Sequence, residues 1–211
     1  SSSLFKLDTD AGKRASRSIL RNGLDIDIKH LCQAYGKQCS GVVHIGAHIG
    51  QEVACSGEYN TLNCPILYIE ADPITYRHLV YNTFPYAHVT TVNAAVCNVD
   101  KSFIEFTRTG ATQQSSILPI LDGDVSSTCA HTIISIPCRT LSSILSEHPN
   151  PGNVLVIDTQ GAEKLVLQGA MEVLDNFDLI NIELTYGWNM YQDNASGYEI
   201  EELLDSHGFD L

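Results

Sequence analysis

Short apolar runs alternate with segments of helical periodicity along most of this chain, and this alternation is what most restricts its fold. The strand-sized runs are Val42–Ile45, Ile66–Ile69, Val89–Val96, Val154–Ile157 and Leu179–Leu184. The segments with helical spacing are Pro73–Asn82, with Asp72 as N-cap, Glu163–Leu174, and Tyr198–His207, closed by Gly208. Strands that alternate with helices predict a mostly parallel central sheet with helices on both faces, an α/β Rossmann-like fold.

The first 40 residues lack this alternation. Residues 1–17 are polar, and we expect them to be mobile. From Leu20 to Tyr35 apolar residues recur at intervals of three and four, which predicts a helix ending at Gly36. We therefore expect a helical lead-in over 1–40 and one α/β domain over 41–211. The chain stops at Leu211 inside a predicted strand, so the closing strands of the sheet are expected to be missing or very short.

The stretch 97–140 interrupts the regular succession of strands and helices. Phe103–Thr107 alternates like an exposed strand, 110–116 is typical of a loop, and Ile133–Ile136 has the length of another strand. We predict an insertion with its own short strands that lies over the ligand cleft.

Charge is unevenly distributed along the chain. Residues 1–40 hold seven of the 12 Lys and Arg residues and four of the 25 acids, which leaves 5 basic and 21 acidic residues over 41–211. So acidic a domain repels phosphate backbones, and we do not expect a nucleic-acid partner. No apolar run approaches the roughly 20 residues of a membrane span, and 1–10 lacks the apolar stretch of a signal peptide, so no membrane association is expected.

Seven cysteines are scattered over the chain, at positions 32, 39, 55, 64, 97, 129 and 138, with no C-x-x-C pair. An odd, scattered set is typical of reduced, buried thiols in a cytoplasmic protein, and we favour this interpretation over one or two disulfides. No metal site is predicted, because the spacing of His44 and His48 places one on a strand and the other in a turn.

In an open parallel sheet the ligand lies over the carboxyl ends of the strands, where the strand order reverses. The first such end carries Gly46-Ala47-His48-Ile49-Gly50-Gln51-Glu52, in which small residues let the backbone approach a ligand closely. The loop lacks a glycine of the G-x-G-x-x-G fingerprint of dinucleotide enzymes, and this counts against NAD.

Acidic residues end the other candidate strands. Glu70 closes the second strand, 24 residues after Gly46, where a carboxylate can accept both hydroxyls of a ribose. Asp158 and Glu183 each end an apolar strand, where a carboxylate without a partner is costly. Asp158, Glu163 and Glu183 are expected to converge on one edge of the cleft.

Seven stretches of the sequence, in order and over roughly residues 41–209, resemble the FkbM family of S-adenosylmethionine-dependent methyltransferases. They are Val43–Glu52, Tyr68–Pro73, Val92–Val96, Gln114–Ile117, Ile157–Glu163, Leu167–Ala170 and Ile182–Leu184. The resemblance implies a class I methyltransferase fold and S-adenosylmethionine as cofactor.

The same resemblance implies roles for individual residues. The methionine part of the cofactor would lie at Gly46, Ala47 and Gly50, the ribose at Glu70, the adenine beside Ala94 and Ala95, and the sulfonium before Asp158, with His48, Glu52 and Ala71 completing the cofactor-binding set. The candidates for taking a proton from the acceptor are Asp158, Glu163 and Glu183, with His131 of the insertion a more distant one.

Two positions depart from the family's pattern, since His44 stands where the family usually has aspartate and Gln160 where it has glutamate. His44 would weaken the contact with the amino group of the cofactor. Gln160 removes a carboxylate that could bind a metal or act as base. The activity is therefore less firmly implied than the binding of the cofactor.

The function implied by the resemblance is an O-methyltransferase acting on a hydroxyl of a sugar or small metabolite. Two alternatives stay open: a non-catalytic S-adenosylmethionine-binding module within a larger protein or complex, with the basic N-terminal segment docking a partner, and an NAD-dependent oxidoreductase. Three aromatic residues, Tyr186, Trp188 and Tyr191, fit either an acceptor pocket or ordinary edge packing.

Overall fold

The computed structural model describes residues 14–18, 27–110, 114–121, 131–184, 186 and 191–210. Its strands are β1 Arg14–Ser18, β2 Val42–Ile45, β3 Ile66–Glu70, β4 Val89–Asn93, β5 Ala95–Val96, β6 Lys101–Thr109, β7 His131–Arg139, β8 Val154–Ile157, β9 Leu179–Ile182 and β10 Phe209–Asp210. Its α-helices are α1 Ile28–Ala34, α2 Gln51–Ala54, α3 Pro73–Thr83, α4 Leu141–Glu147, α5 Glu163–Gln168 and α6 Gly197–Ser206. Within these ranges, each helix is too short or too polar to traverse a bilayer.

The main sheet is parallel throughout and has the strand order β10-β1-β9-β8-β2-β3-β4. This arrangement confirms the predicted α/β Rossmann-like fold. From β2 the chain proceeds outward to β3 and β4, and it then returns to the other side of β2 as β8 and β9. Strand order thus reverses beside β2, and a crevice is expected at the carboxyl ends of β2 and β8.

Alternate residues of the central strands enter two apolar cores. Val43 and Ile45 of β2 belong to one core, with residues of α4, α5 and α6. Val42 of the same strand belongs to the other core, with residues of α1, α2 and α3. Because successive side chains of a strand point to opposite faces, the two cores lie on opposite sides of the sheet and the helices cover both faces.

The predicted strand Val89–Val96 is wrong as a single element. It breaks at Ala94, whose N–H donates to the Glu70 carbonyl (3.2 Å), and the Asn93 side-chain amide donates to the same carbonyl (2.8 Å). After these bonds the chain leaves the main sheet. The next two residues form β5, which pairs with β7 in a second sheet.

Helix α3 and its Asp72 N-cap are confirmed, but α5 is shorter than the predicted Glu163–Leu174. It ends at Gln168, and the following Gly169 lies directly against the carbonyl of Cys97, where a Cβ would come within 1.9 Å of the oxygen. A turn and a short 3₁₀ helix, Leu174–Asn176, follow. Helix α4 was not predicted, although Thr140 caps it by accepting from the Ser143 N–H (3.1 Å).

The N-terminal part differs most from expectation. Residues 14–17, predicted to be mobile, belong to β1, which lies between β9 and β10. The helix predicted from Leu20 begins only at Ile28, where Asp27 accepts from the Lys29 N–H as N-cap (2.9 Å). Residues 19–26 lie outside the described part of the chain. The division at residue 41 stays a prediction.

The predicted insertion forms a sheet of its own, with the order β5-β7-β6. Strands β6 and β7 are antiparallel, with Thr107 opposite Ile133. The Arg108 guanidinium binds the Asp72 carboxylate through two nitrogens and so ties this sheet to the start of α3.

A disulfide joins Cys97 to Cys138 within this region. The prediction of reduced thiols is therefore wrong for these two residues, because the fold brings together sulfurs that are 41 residues apart in the sequence. Cys32, Cys39, Cys55 and Cys64 are free, and Cys129 lies outside the described residues. Disulfides are typical of oxidising compartments, which argues against the predicted cytoplasmic location; that location stays a prediction.

Candidate functional site

A cavity of about 470 Å³ lies at the carboxyl ends of β2, β3 and β8. The predicted site residues on its wall are Gly46, Ala47, His48, Glu52, Glu70, Ala71, Ala94, Ala95, Asp158 and Glu183. Gly50 and Glu163 are not among the residues that line it. The structure thus brings most of the predicted set to one place, while the role of each residue in binding or catalysis stays a prediction.

The loop after β2 is held by backbone contacts to both neighbouring strands. The N–H groups of Gly46 and Ala47 donate to the Ile69 carbonyl at 2.9 and 3.1 Å. Gly46 has φ +82° and touches the Asp158 carbonyl so closely that a Cβ would come within 1.7 Å of the oxygen. Glycine is therefore required here by the crossing of two chain segments, a reason beyond the expected approach to a ligand.

Gly50, predicted to bind the cofactor, has a different setting. It precedes α2 with φ +73°, and a Cβ would lie 2.8 Å from the Leu79 side chain and 3.0 Å from that of Thr83. The residue accordingly lets α2 pack against α3. A cofactor contact at Gly50 stays a prediction.

Glu70 connects the first two loops of the site. Its carboxylate is 7% exposed and accepts from the backbone N–H groups of His48 (2.9 Å) and Asp72 (2.8 Å). Burial raises the pKa of Glu70 to about 7, although the two hydrogen bonds favour the ionised form. Sequence reasoning anticipated a ligand for this carboxylate but missed that it also fixes the loop 46–50.

A polar group of four side chains lies behind the Gly46 loop. His44 Nδ1 is 3.2 Å from the Tyr59 hydroxyl and 4.0 Å from the Glu52 carboxylate. The Tyr68 hydroxyl donates to the same Glu52 carboxylate at 3.1 Å. Glu52 thus supplies an acid at the part of the cavity where His44 departs from the family pattern.

The opposite part of the cavity holds two carboxylates joined by an amide. Gln160 Nε2 donates to Asp158 Oδ1 at 2.7 Å and to Glu183 Oε2 at 2.9 Å. Burial, and then the negative charge of Asp158, raises the pKa of Glu183 to about 8. Gln160, treated in the sequence only as a missing acid, is the partner that keeps these two acids together.

Glu163 has no direct place on the cavity wall. Its buried carboxylate accepts from the N–H groups of Thr159 (3.0 Å) and Gly161 (3.1 Å). Burial raises the pKa of Glu163 despite these bonds. The geometry favours a role in shaping the turn before α5 over the predicted role as base, which stays untested.

The insertion contributes a wall that sequence reasoning located only in outline. Phe106, Gln114, Ser115 and Ile117 line the cavity from this side. The Tyr191 hydroxyl donates to the Gln114 carbonyl (2.8 Å) and holds that segment in place. Gln114, Ser115 and Ile117 belong to a stretch that resembles the FkbM family, whereas no local signal marks Phe106, which strand pairing across the insertion brings to the site.

Of the remaining aromatic and histidine candidates, those that the structure describes are not among the residues of the cavity wall. Tyr186 packs edge-on against Tyr198, with ring centroids 5.1 Å apart, which favours the packing interpretation for that residue. His131 is exposed at the start of β7. Trp188 lies outside the described residues. Among the described residues, no group of three or more His, Cys, Asp and Glu side chains is arranged to hold a metal.

The arrangement suits a polar small molecule with a hydroxylated part near Glu70 and a reacting group near Glu183. These residues follow β3 and β9, which are three strand positions apart in the sheet. Neighbouring strands are about 4.8 Å apart, so the ends of β3 and β9 are separated by roughly 14 Å across the carboxyl edge of the sheet. A nucleoside-containing ligand and a second small molecule can share a space of this length.

A comparison with protein families places the chain among methyltransferases. The model of the Methyltransferase FkbM domain matches residues 44–211, a range that contains the described cavity residues. Comparisons with curated proteins and with solved structures found no significant match. The chain belongs to the FkbM methyltransferase domain family and is an S-adenosylmethionine-dependent methyltransferase.

Proposed function

We propose that this chain transfers the methyl group of S-adenosylmethionine to a hydroxyl of an uncharged sugar or small metabolite. The observation that carries the proposal is a single cavity with a buried carboxylate, Glu70, on one side and the bridged carboxylates of Asp158 and Glu183 on the other. Both sides are required, since one must hold the donor and the other must handle the proton of the acceptor.

The residues after β2, β3 and β4 fit the cofactor. Glu70 presents a carboxylate to which ribose hydroxyls can donate, and its neighbour Ala71 keeps the space beside it open. Ala94 and Ala95 are small and buried, which leaves room for a flat base. Glu52 would pair with the amino group, and the Gly46–Ala47 backbone would lie along the methionine part.

S-adenosylmethionine, when bound, supplies a methyl group that is already electrophilic because it is carried by a sulfonium. The chain's own task is to orient the acceptor oxygen and to accept its proton. Glu183 suits this task because its pKa of about 8 lies near the pH at which a general base is efficient. Gln160 holds the carboxylates of Asp158 and Glu183 in position through its two hydrogen bonds.

The distribution of basic residues supports an acceptor without a negative charge. No Lys or Arg is among the residues that line the described cavity. The sequence has none between Arg108 and Arg139 and none after Lys164, so the neighbouring segments also lack them. Arg108 is bound to Asp72, so a phosphate or carboxylate on the acceptor would meet the acids of the wall without a Lys or Arg to pair with.

Calorimetric titration tests the donor half of the proposal. Wild type, Glu70→Ala and the control Glu105→Ala, which removes an exposed acid of β6, are titrated with S-adenosylmethionine, S-adenosylhomocysteine and NAD. We expect the first two ligands to bind wild type and the control, and to lose affinity in Glu70→Ala, while NAD does not bind. Because Glu70 also fixes the loop 46–50, Ala71→Leu serves as a second variant that narrows the cavity and leaves those hydrogen bonds intact.

Transfer of labelled methyl groups tests the acceptor half. Methyl glucoside and its 6-phosphate form a matched pair of acceptors, and we expect the neutral member of such pairs to be the better substrate. Tight binding of S-adenosylmethionine without transfer to any hydroxyl in a broad panel would instead support the non-catalytic binding module. No binding of either adenosyl ligand to folded wild type would overturn the proposal.

A further inference from the structure

Three free cysteines lie together at the edge of the sheet opposite the cavity. Cys39 precedes β2, Cys64 precedes β3, and Cys32 belongs to α1. The sulfurs of Cys39 and Cys64 are 3.4 Å apart, and Cys32 lies within hydrogen-bonding reach of Cys39. These residues are at the amino ends of the strands, so the cavity and its chemistry do not involve them.

The backbone holds Cys39 and Cys64 close to each other. The Val42 N–H donates to the Pro65 carbonyl at 3.0 Å, and Val42 is paired with Ile66 in the sheet. On the other side, the Ser40 N–H donates to the Asn153 side chain at 2.8 Å. The proximity of the two thiols is therefore a consequence of the sheet, and an S–S bond of about 2.05 Å needs only a small approach of the two sulfurs.

The two thiols differ in exposure and acidity. Cys39 is half-buried, whereas Cys64 is 6% exposed. Hydrogen bonds from Cys32 and then from Cys64 lower the pKa of Cys39, which favours its thiolate. Cys39 thus has the character of an attacking sulfur, and Cys64 has the position of the thiol that resolves it.

We propose that Cys39 and Cys64 form an oxidation site at which a peroxide converts the two thiols into a disulfide. The Cys39 thiolate attacks one peroxide oxygen, the O–O bond breaks, and the departing hydroxide takes a proton from solvent to become water. Cys39 is now a sulfenic acid. The sulfur of Cys64 then attacks it, the S–S bond forms, and the hydroxyl leaves with the Cys64 proton as a second water.

The disulfide would covalently link the segment before β2 to the segment before β3. A covalent link of this kind restricts the unfolded chain, so the oxidised protein unfolds at a higher temperature. The cavity lies at the other ends of these strands, and the affinity for a ligand bound there is unchanged by oxidation. The inference stands independently of the proposed methyl transfer, because oxidation is measured on the protein itself.

Mass spectrometry after trypsin cleavage tests the site. The chain has no Lys or Arg between Lys37 and Arg77, so residues 38–77 form one tryptic peptide that contains Cys39, Cys55 and Cys64, while Cys32 falls in another. The folded Cys55→Ser/Cys129→Ser protein, which lacks the other two thiols outside the cluster, is treated with hydrogen peroxide and then alkylated. We expect the peptide 38–77 to lose two hydrogen atoms and to escape alkylation.

Three variants in the same background complete the test. The mass loss should vanish in Cys39→Ser and Cys64→Ser and persist in Cys32→Ser, with a higher melting temperature after oxidation wherever it persists. A crosslink between the peptides 30–37 and 38–77 in the unsubstituted cluster would place Cys32 in the disulfide and overturn the proposal. Alkylation of both Cys39 and Cys64 after peroxide treatment of the folded protein would overturn it as well.

Discussion

Gln160 Nε2 lies 2.9 Å from Glu183 Oε2 and at the same time donates to Asp158, so an amide stands between two carboxylates at the edge of the cavity. The bond to Gln160 lowers the pKa of Glu183, whereas burial and Asp158 raise it by more. A residue that departs from the family pattern is thus the group that limits how far this acid is shifted.

Replacing Gln160 by methionine tests that relationship. The Gln160→Met variant keeps the length of the side chain and removes the donor, so the pKa of Glu183 should rise further above about 8. If the ionised Glu183 takes the acceptor proton, the rising limb of kcat/KM against pH moves to higher pH. The control Gln33→Met, at an exposed position of α1, should leave the profile in place. An unshifted limb in Gln160→Met would exclude Glu183 as the base.

Stability should depend on pH through Glu183. Its pKa is raised in the folded chain from 4.5 to about 8, so the folded state binds more protons than the unfolded state between these values. Stability is then greatest below about pH 4.5 as far as this group is concerned, and it is lost as the pH rises through 8. In Glu183→Gln this loss should be smaller, as measured by urea denaturation at pH 5 and pH 9.

Glu172→Gln provides the comparison for that measurement. Glu172 is exposed in the turn after α5, and its replacement removes one acid without touching the cavity. The variant should retain the wild-type difference between the two pH values. An equal difference in Glu183→Gln and wild type would show that Glu183 is not shifted in the folded state.

Several strands and the loop after β2 could be predicted from the sequence, because local patterns determine them. Apolar runs bounded by turn residues gave β2, β3 and β8, and the rule for parallel sheets then directed attention to Gly46, Glu70 and Asp158. The FkbM resemblance implied Ala94 and Ala95, which no local pattern distinguishes from core residues. These positions lie at or just after the carboxyl ends of β2, β3, β4 and β8, which are neighbours in the middle and at one side of the sheet.

Other features depend on contacts between distant segments and have no local signal. Gly169, the residue after α5, lies against the Cys97 carbonyl, and Phe106 reaches the cavity wall through the pairing of β6 with β7. The Cys97–Cys138 bond depends on the pairing of β5 with β7. Composition and periodicity describe one segment at a time, so they cannot contain such relationships.

Two glycines with nearly the same φ distinguish the cost of a left-handed backbone from the cost of a steric clash when each is replaced by alanine. Gly208 has φ +78° and open space around it, so Gly208→Ala should cost about 1–2 kcal/mol for the left-handed conformation. Gly46 has φ +82° but lies against the Asp158 carbonyl, and Gly46→Ala should destabilise by more than about 4 kcal/mol. Chemical denaturation measures both variants. Equal losses would mean that the loop after β2 can move away from Asp158.

The ion pair between Arg108 and Asp72 should hold the insertion on the main sheet. Asp72 is 2% exposed and keeps its bonds to the Ile74 and Thr75 N–H groups when Arg108 is removed. Because the Arg108 side chain is 22% exposed, we expect Arg108→Met to cost about 2 kcal/mol, less than the 3–5 kcal/mol typical of a fully buried pair. The measurement is the free energy of unfolding in urea.

A double-mutant cycle isolates the pair itself. Asp72→Asn retains an N-cap for α3 but lowers the charge that Arg108 meets. The effects of Arg108→Met and Asp72→Asn should be clearly non-additive, because both act on one interaction. Additive losses would contradict a direct contribution of the ion pair.

The three-stranded sheet of the insertion divides the cavity wall into two parts that can change independently. The loops after β2 and β3 belong to the frame of the domain. Phe106, Gln114, Ser115 and Ile117 lie on β6 and on the segment between β6 and β7, which contact the frame through pairs such as Arg108 and Asp72. If the frame holds the methyl donor as proposed, a change in this hairpin alters the surroundings of the acceptor and leaves the donor's part of the cavity in place. Exchanging residues 101–139 between related chains is the corresponding way to engineer the acceptor specificity of the enzyme.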